Sequence, residues 1–220
     1  MKFKQGSILA GLLLAAATAS TALGAPIVIY NFDSTSTPLA PSTVASGVTA
    51  GNLTFNGVTG YPWYWSEPTG AGVLQLNAGV GVNTAAEAFA ASMWFSFTLS
   101  SATPMNLSSL TLDGSYDQFS GPAGYALESS VDGYASIIST ANFTTTLPTF
   151  ATCTVDLSGA AFQGLSSITF RIAGYNANYG YEQFDNITVN AATVPEPSAL
   201  ALAGVGILSV LRLMASRRRN

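Results

Sequence analysis

The sequence predicts an all-β protein: an antiparallel β-sandwich of about ten strands, followed by a single hydrophobic helix at the C-terminus. Three observations predict it. Short stretches with β-branched or aromatic residues at every second position recur through the middle of the chain, a period that buries one face of each strand and wets the other. Gly, Pro, Asn and Ser punctuate these stretches at the spacing of sandwiches and barrels. Amphipathic helical patterning is nearly absent ahead of the tail.

The first element is an expected signal peptide over residues 1–24. Lys2 and Lys4 form a positive start, Ile8 to Ala17 is a run of ten small or apolar residues, and Ala22-Leu23-Gly24 places small residues where a signal peptidase reads them. Ten residues span only ~15 Å as helix against a ~30 Å hydrocarbon core, which favours a cleaved signal over an anchor. Cleavage is expected after Gly24.

A single domain over residues 25–193 follows. Its expected strands begin with Ile27–Phe32, Asn52–Asn56, Gly72–Leu76, Ser92–Leu99 and Leu107–Leu112. They continue with Gly124–Ser129, Ala135–Ser139, Ala151–Leu157, Ser167–Ile172 and Phe184–Val189. Residues 34–50, rich in Ser, Thr, Pro and Ala, read as a long loop. Thr84 and Glu87 have the spacing of a capping box and predict a helix of about two turns. Asp113 to Asp117 reads as a turn, and Asp132-Gly133 as a two-residue hairpin turn.

Charge excludes some functions. Between residues 25 and 194 there are ten acids (Asp33, Glu67, Glu87, Asp113, Asp117, Glu128, Asp132, Asp156, Glu182 and Asp185) and one base, Arg171, a net charge of −9. Nucleic acid needs Lys and Arg to neutralise phosphates, so it is not an expected partner. The chain has no histidine, which removes Ser-His-Asp and Cys-His catalysis and the commonest nitrogen ligand of zinc. Cys153 is the only cysteine, so no intrachain disulfide forms, and it reads as a small core residue.

Two kinds of candidate site remain. In Tyr61-Pro-Trp-Tyr-Trp65, extended backbone puts Trp63 and Trp65 on one face, where indoles can stack on sugar rings, with Glu67 nearby to accept hydrogen bonds from hydroxyls. The alternative is that both tryptophans fill the core. Gly174 to Tyr181 supplies a second polar-aromatic loop. For catalysis, only a carboxylate pair drawn from Glu67, Glu87 and Glu182 is available, in the manner of a glycoside hydrolase.

The tail has three parts. Val194-Pro195-Glu196-Pro197 is a stiff extended handle, because each proline fixes φ and lacks an N–H. Ser198 to Leu211 is fourteen residues without charge, and continuing the helix to Ser216 reaches roughly 28 Å. Arg217, Arg218 and Arg219 then remain on the cytoplasmic side. In this order the parts resemble the PEP-CTERM sorting signal of Gram-negative bacteria. That resemblance implies export, transient anchoring in the inner membrane, and processing of residues 194–220 by an exosortase-type membrane protease. It also implies association with exopolysaccharide or biofilm.

Within the domain, Leu127–Tyr134, Ile168–Ile172 and Phe184–Val189 resemble the domain often found ahead of such tails. This implies a jelly-roll sandwich similar in outline to carbohydrate-binding modules, with the first and last strands adjacent. It also implies a structural calcium near their acidic residues, here Asp33 and Asp185. The functional expectation is an exported envelope or matrix protein that binds carbohydrate. A purely structural matrix protein and a polysaccharide hydrolase are the alternatives.

Overall fold

A computed structural model describes residues 24–34, 36–64, 72–77, 82–116, 123–146, 149–175 and 181–192, with the backbone alone for 61–64. The strands among these are β1 (Ala25–Tyr30), β2 (Thr43–Val44), β3 (Val48–Ala50), β4 (Thr54–Asn56), β5 (Thr59–Tyr64) and β6 (Gly72–Asn77). They continue with β7 (Trp94–Met105), β8 (Leu107–Tyr116), β9 (Gly124–Ser129) and β10 (Ser139–Asn142), then β11 (Ala151–Asp156), β12 (Leu165–Tyr175) and β13 (Tyr181–Ala191). A short helix, α1 (Ala85–Ala90), precedes β7.

Two antiparallel sheets make a jelly-roll-like sandwich. The first runs β11–β8–β13–β1–β2, with β6 also on β13 and β5 outside β6. The second runs β10–β9–β12–β7–β3, with β4 also on β7. The first and last strands pair directly, Val28 opposite Val189 and Ile29 opposite Thr188. β13 serves two neighbours in turn: Tyr181 to Phe184 pair with β6, and Ile187 to Ala191 with β1. The switch falls at a bulge where Asn186 takes φ 48°, a left-handed conformation that Asn tolerates better than most residues.

Alternation fills the space between the sheets. Phe95, Phe97 and Leu99 of β7 point inward beside Ile168, Phe170 and Ile172 of β12, and Phe97 lies opposite Phe170 with ring centroids 5.5 Å apart. From the first sheet Phe184 meets Phe95 edge-on at 5.3 Å and Phe143 at 5.7 Å. Burying each of these rings contributes about 1.5–3 kcal/mol. Tyr30 reaches across the same core and donates its hydroxyl to Gly51 O at 2.5 Å, so its one polar atom is satisfied.

Several local expectations change. Residues 34–50 are not one loop, because β2 and β3 lie within them, each too short to show a period. β5 was hidden by Gly60 and Pro62; among the described residues it pairs with β6 alone, and an edge strand tolerates proline. Asp113 to Tyr116 belong to β8 rather than to a turn. Asp132-Gly133 is not a two-residue hairpin turn, and Ala135 to Ile138 are not strand. Ser130–Asp132 form a 3-10 turn, Gly133 and Tyr134 both take left-handed φ, and β10 starts only at Ser139.

Cys153 is half-buried at the margin of the core, where burial, with Asp113 adding to it, pushes its thiol pKa up. The capping box forms in both halves: Glu87 N donates to Thr84 Oγ1 at 3.2 Å and Thr84 N to Glu87 Oε2 at 3.0 Å. The expected signal peptide before Gly24 and the tail from Val194 lie outside the described residues. No helix among the described residues is long and apolar enough to cross a membrane.

Candidate functional site

Polar groups concentrate on the face of the first sheet that points away from the core. Leu74 and Leu76 of β6, Phe184 of β13, and Leu110 and Leu112 of β8 point inward, so the residues between them point out. Gln75, Gln183 and Ser115 thereby form a row across three neighbouring strands, Gln183 lying opposite both Gln75 and Ser115. Ser115 Oγ donates to Gln183 Oε1 at 3.5 Å. All three side chains are buried, and Gln183 Nε2 has no hydrogen-bond partner among the described residues. An unpaired buried amide donor costs about 1–3 kcal/mol.

One row along lie three carboxylates. Asp33 accepts from Gly72 N at 3.0 Å and from Asn31 Nδ2 at 2.7 Å. Asp113 accepts from Thr152 Oγ1 at 2.5 Å and from Asn186 Nδ2 at 3.0 Å. Asp185 accepts from Asn186 N at 2.7 Å and from Asn186 Nδ2 at 3.2 Å. Burial pushes the Asp185 pKa up to about 7; the hydrogen bond from Asn186 N opposes this, and repulsion from Asp33 and Asp113 adds to it.

The fold thus brings Asp33 and Asp185 into electrostatic contact and adds Asp113. Their oxygens are spent on protein donors, and the Asn186 amide bridges Asp113 and Asp185. Among the described residues no group of three or more His, Cys, Asp or Glu side chains that could hold a metal ion is found.

The inward face of the same strand holds Glu182, fully buried, opposite Leu76 and Tyr116. Neither of its carboxylate oxygens has a hydrogen-bond partner among the described residues. Burial pushes its pKa up to about 8, which keeps it protonated at neutral pH. Glu87, in contrast, is exposed on α1 and its carboxylate is committed to the helix cap. The fold does not bring Glu87 and Glu182 onto one surface. Trp63 is described by its backbone, paired with Val73 in β5. Trp65 and Glu67, and most of the 174–181 loop, lie outside the described residues.

Sequence reasoning missed the row of Gln75, Gln183 and Ser115. Alternation places each of them outward, but an outward position normally means solvent, and nothing local shows that these three are covered. Their burial is a property of the assembled sheet.

Comparison with known proteins adds two findings. The PEP-CTERM protein-sorting motif matches residues 193–219, so the chain carries that sorting signal, with the export, C-terminal anchoring and exosortase processing it implies. No curated protein sequence matches. Among solved structures, the CBM22-1 xylan-binding domain from Paenibacillus barcinonensis is similar at 16% identity, covering 77% of this chain and 96% of that one, with a TM-score of 0.42. A xylan-binding domain from CBM 22 is similar at 9% identity, 69% and 90% coverage and a TM-score of 0.40. The K1 cleaved adhesin domain of Lys-gingipain from Porphyromonas gingivalis is similar at 14% identity, 74% and 96% coverage and 0.39. Likenesses this distant transfer no ligand or activity to this chain.

Proposed function

We propose that this chain, sorted by its PEP-CTERM motif, is an exported cell-envelope or extracellular-matrix protein that binds carbohydrate on the outer face of the β5–β6–β13–β8 sheet. Signal peptidase removes the leader, exosortase processes the tail, and the domain joins exopolysaccharide in a biofilm or floc. The observation that supports the binding reading is the Gln183 Nε2 donor, without a partner among the described residues, within a row of amide, amide and hydroxyl groups. Neutral hydroxyls of a sugar both donate and accept, and so match such a row without bringing charge to a strongly acidic domain. The aromatic strand Tyr61–Tyr64 runs alongside, with Tyr61 opposite Gln75. Trp63 and Trp65 are the proposed stacking residues and Glu67 a proposed hydroxyl acceptor.

The test is binding of the full chain to exopolysaccharide from the producing cells, compared with Gln183→Leu, Trp63→Ala and Trp65→Ala. Gln183→Leu removes the Nε2 donor and, with it, the acceptor of the Ser115 hydroxyl, so affinity is expected to fall about tenfold in a domain that still melts cooperatively. Unchanged affinity in all three variants would overturn the site. Hydrolysis of the polysaccharide, lost in Glu67→Gln or Glu182→Gln, would replace the binding reading with the hydrolase one.

A further inference from the structure

The other sheet carries a different cluster. Arg171, the only base between residues 25 and 194, sits on the outer face of β12. Its guanidinium lies 3.4 Å from the ring centroid of Tyr134 and 4.5 Å from that of Trp94. Trp94 in turn meets Phe89 of α1 at 6.1 Å. Trp94, Tyr134 and Arg171 are all half-buried. No hydrogen bond or ion pair of the guanidinium is found among the described residues. Stacked against rings, a guanidinium keeps its in-plane N–H groups for an acceptor arriving at its edge.

The fold holds this arrangement against a local cost. Tyr134 takes φ 65°, a left-handed conformation that strains a bulky residue. The turn that presents it is fixed in advance. Ser130 Oγ accepts from Thr169 N at 2.9 Å, tying the turn to β12, and Tyr134 N donates to Ser129 O at 3.1 Å. Asp132 accepts from Ala135 N at 3.2 Å and from the Ser136 hydroxyl. Strain kept by a turn this well tied points from conformation to use.

Charge selects the ligand class. Glu128, directly opposite Arg171 on β9, is buried; burial raises its pKa, Arg171 opposes that rise and Asp132 adds to it. Asp132 itself is held below the usual carboxylate range by its hydrogen bond from Ser136. Arg171 therefore faces the Glu128 carboxylate, which Asp132 in turn repels, in a domain of net charge −9. An anionic ligand would meet repulsion, whereas neutral hydroxyls accept from Arg171 at no such cost.

We propose that Trp94, Arg171 and Tyr134 form a second carbohydrate-binding surface, on the sheet opposite the first, that takes neutral rather than uronate-bearing polysaccharide. The proposal rests on the carbohydrate reading above for the class of ligand, not for the location. With two surfaces on opposite sheets, one molecule bridges two polysaccharide strands.

The test uses the isotope-labelled full chain in detergent. The Arg171 Nε–H resonance is identified as the one that disappears in Arg171→Lys. The probes are the neutral and acidic fractions of the producing cells' exopolysaccharide, separated on an anion exchanger. The neutral fraction is expected to shift the Arg171 resonance saturably, and the acidic fraction to bind at least tenfold more weakly. Tyr134→Gly relieves the left-handed strain, so its melting midpoint should not fall while its affinity at this surface drops at least tenfold. An unmoved Arg171 resonance, a preference for the acidic fraction, or full affinity in Tyr134→Gly would each overturn the proposal. If Arg171 stays unmoved while binding sensitive to Gln183→Leu persists, this surface falls and the first stands. If neither fraction binds at all, both fall.

Discussion

Gly174 of β12 faces Glu182 of β13 across the sandwich, so closely that a Cβ on Gly174 would lie 2.6 Å from Glu182 Cδ. The missing side chain on one sheet makes room for the buried carboxyl on the other. Gly174→Ala is therefore expected to destabilise the domain by about 1–3 kcal/mol, read by chemical denaturation. Shortening the partner in Gly174→Ala/Glu182→Ala should restore part of that loss, because the two positions are coupled through one space. Additive losses would mean that the glycine is needed for another reason.

The same carboxyl sets a pH dependence. Glu182 rises from an ordinary 4.5 to about 8 on folding, and Asp185 from 3.8 to about 7. Both folded-state values are raised, so the folded state holds protons that the unfolded state has released. Stability is fully present below about pH 4 and is lost progressively as pH climbs through 7 and 8. For Glu182 the loss is at most about 4–5 kcal/mol. Melting midpoints should fall between pH 5 and pH 8.5 in the parent and much less in Glu182→Gln. A parallel fall in both would show that Glu182 is not the titrating group.

Calcium is tested at the outer carboxylates. Because Asp33, Asp113 and Asp185 accept from protein donors and Asn186 bridges two of them, a chelator is expected to leave the melting midpoint unchanged. Asp185→Asn should raise that midpoint at pH 8, where the buried charge is present. A midpoint that falls with chelator and recovers with added calcium would place the ion on Asp33 and Asp185.

Processing is read by intact mass. Protein recovered from outside the cell is expected to start at Ala25 and to lack the residues beyond about Pro197. Retention of Arg217 to Arg219 on membrane-bound protein alone would mean a permanent anchor, and the domain would then work beside the inner membrane.

The sandwich and most of its strands were legible from alternation, because a half-buried strand writes its two faces into every second residue. Phe95, Phe97 and Leu99 are an example, and so are Leu110 and Leu112. The capping box at Thr84 and Glu87 was legible because all of its partners lie within four residues. What escaped were elements without a period, such as β2 and β3, and β5, whose proline is tolerated only because the strand is at an edge. The turn at Gly133 and Tyr134 also escaped, since a tyrosine with positive φ is held by contacts that its neighbours in sequence do not announce.

The division has one physical basis. The sequence by itself determined the sorting tail, the all-β class and the acidic character, because composition and short-range order are sufficient for an address, a period and a charge. The tertiary structure alone decided that Arg171 stacks against Trp94 and Tyr134, that Gln183 Nε2 is buried without a partner among the described residues, and that Gly174 opens space for Glu182. Each of these joins residues on different strands, or on strand and loop, and burial and proximity at such distances exist only once the sheets have closed on each other.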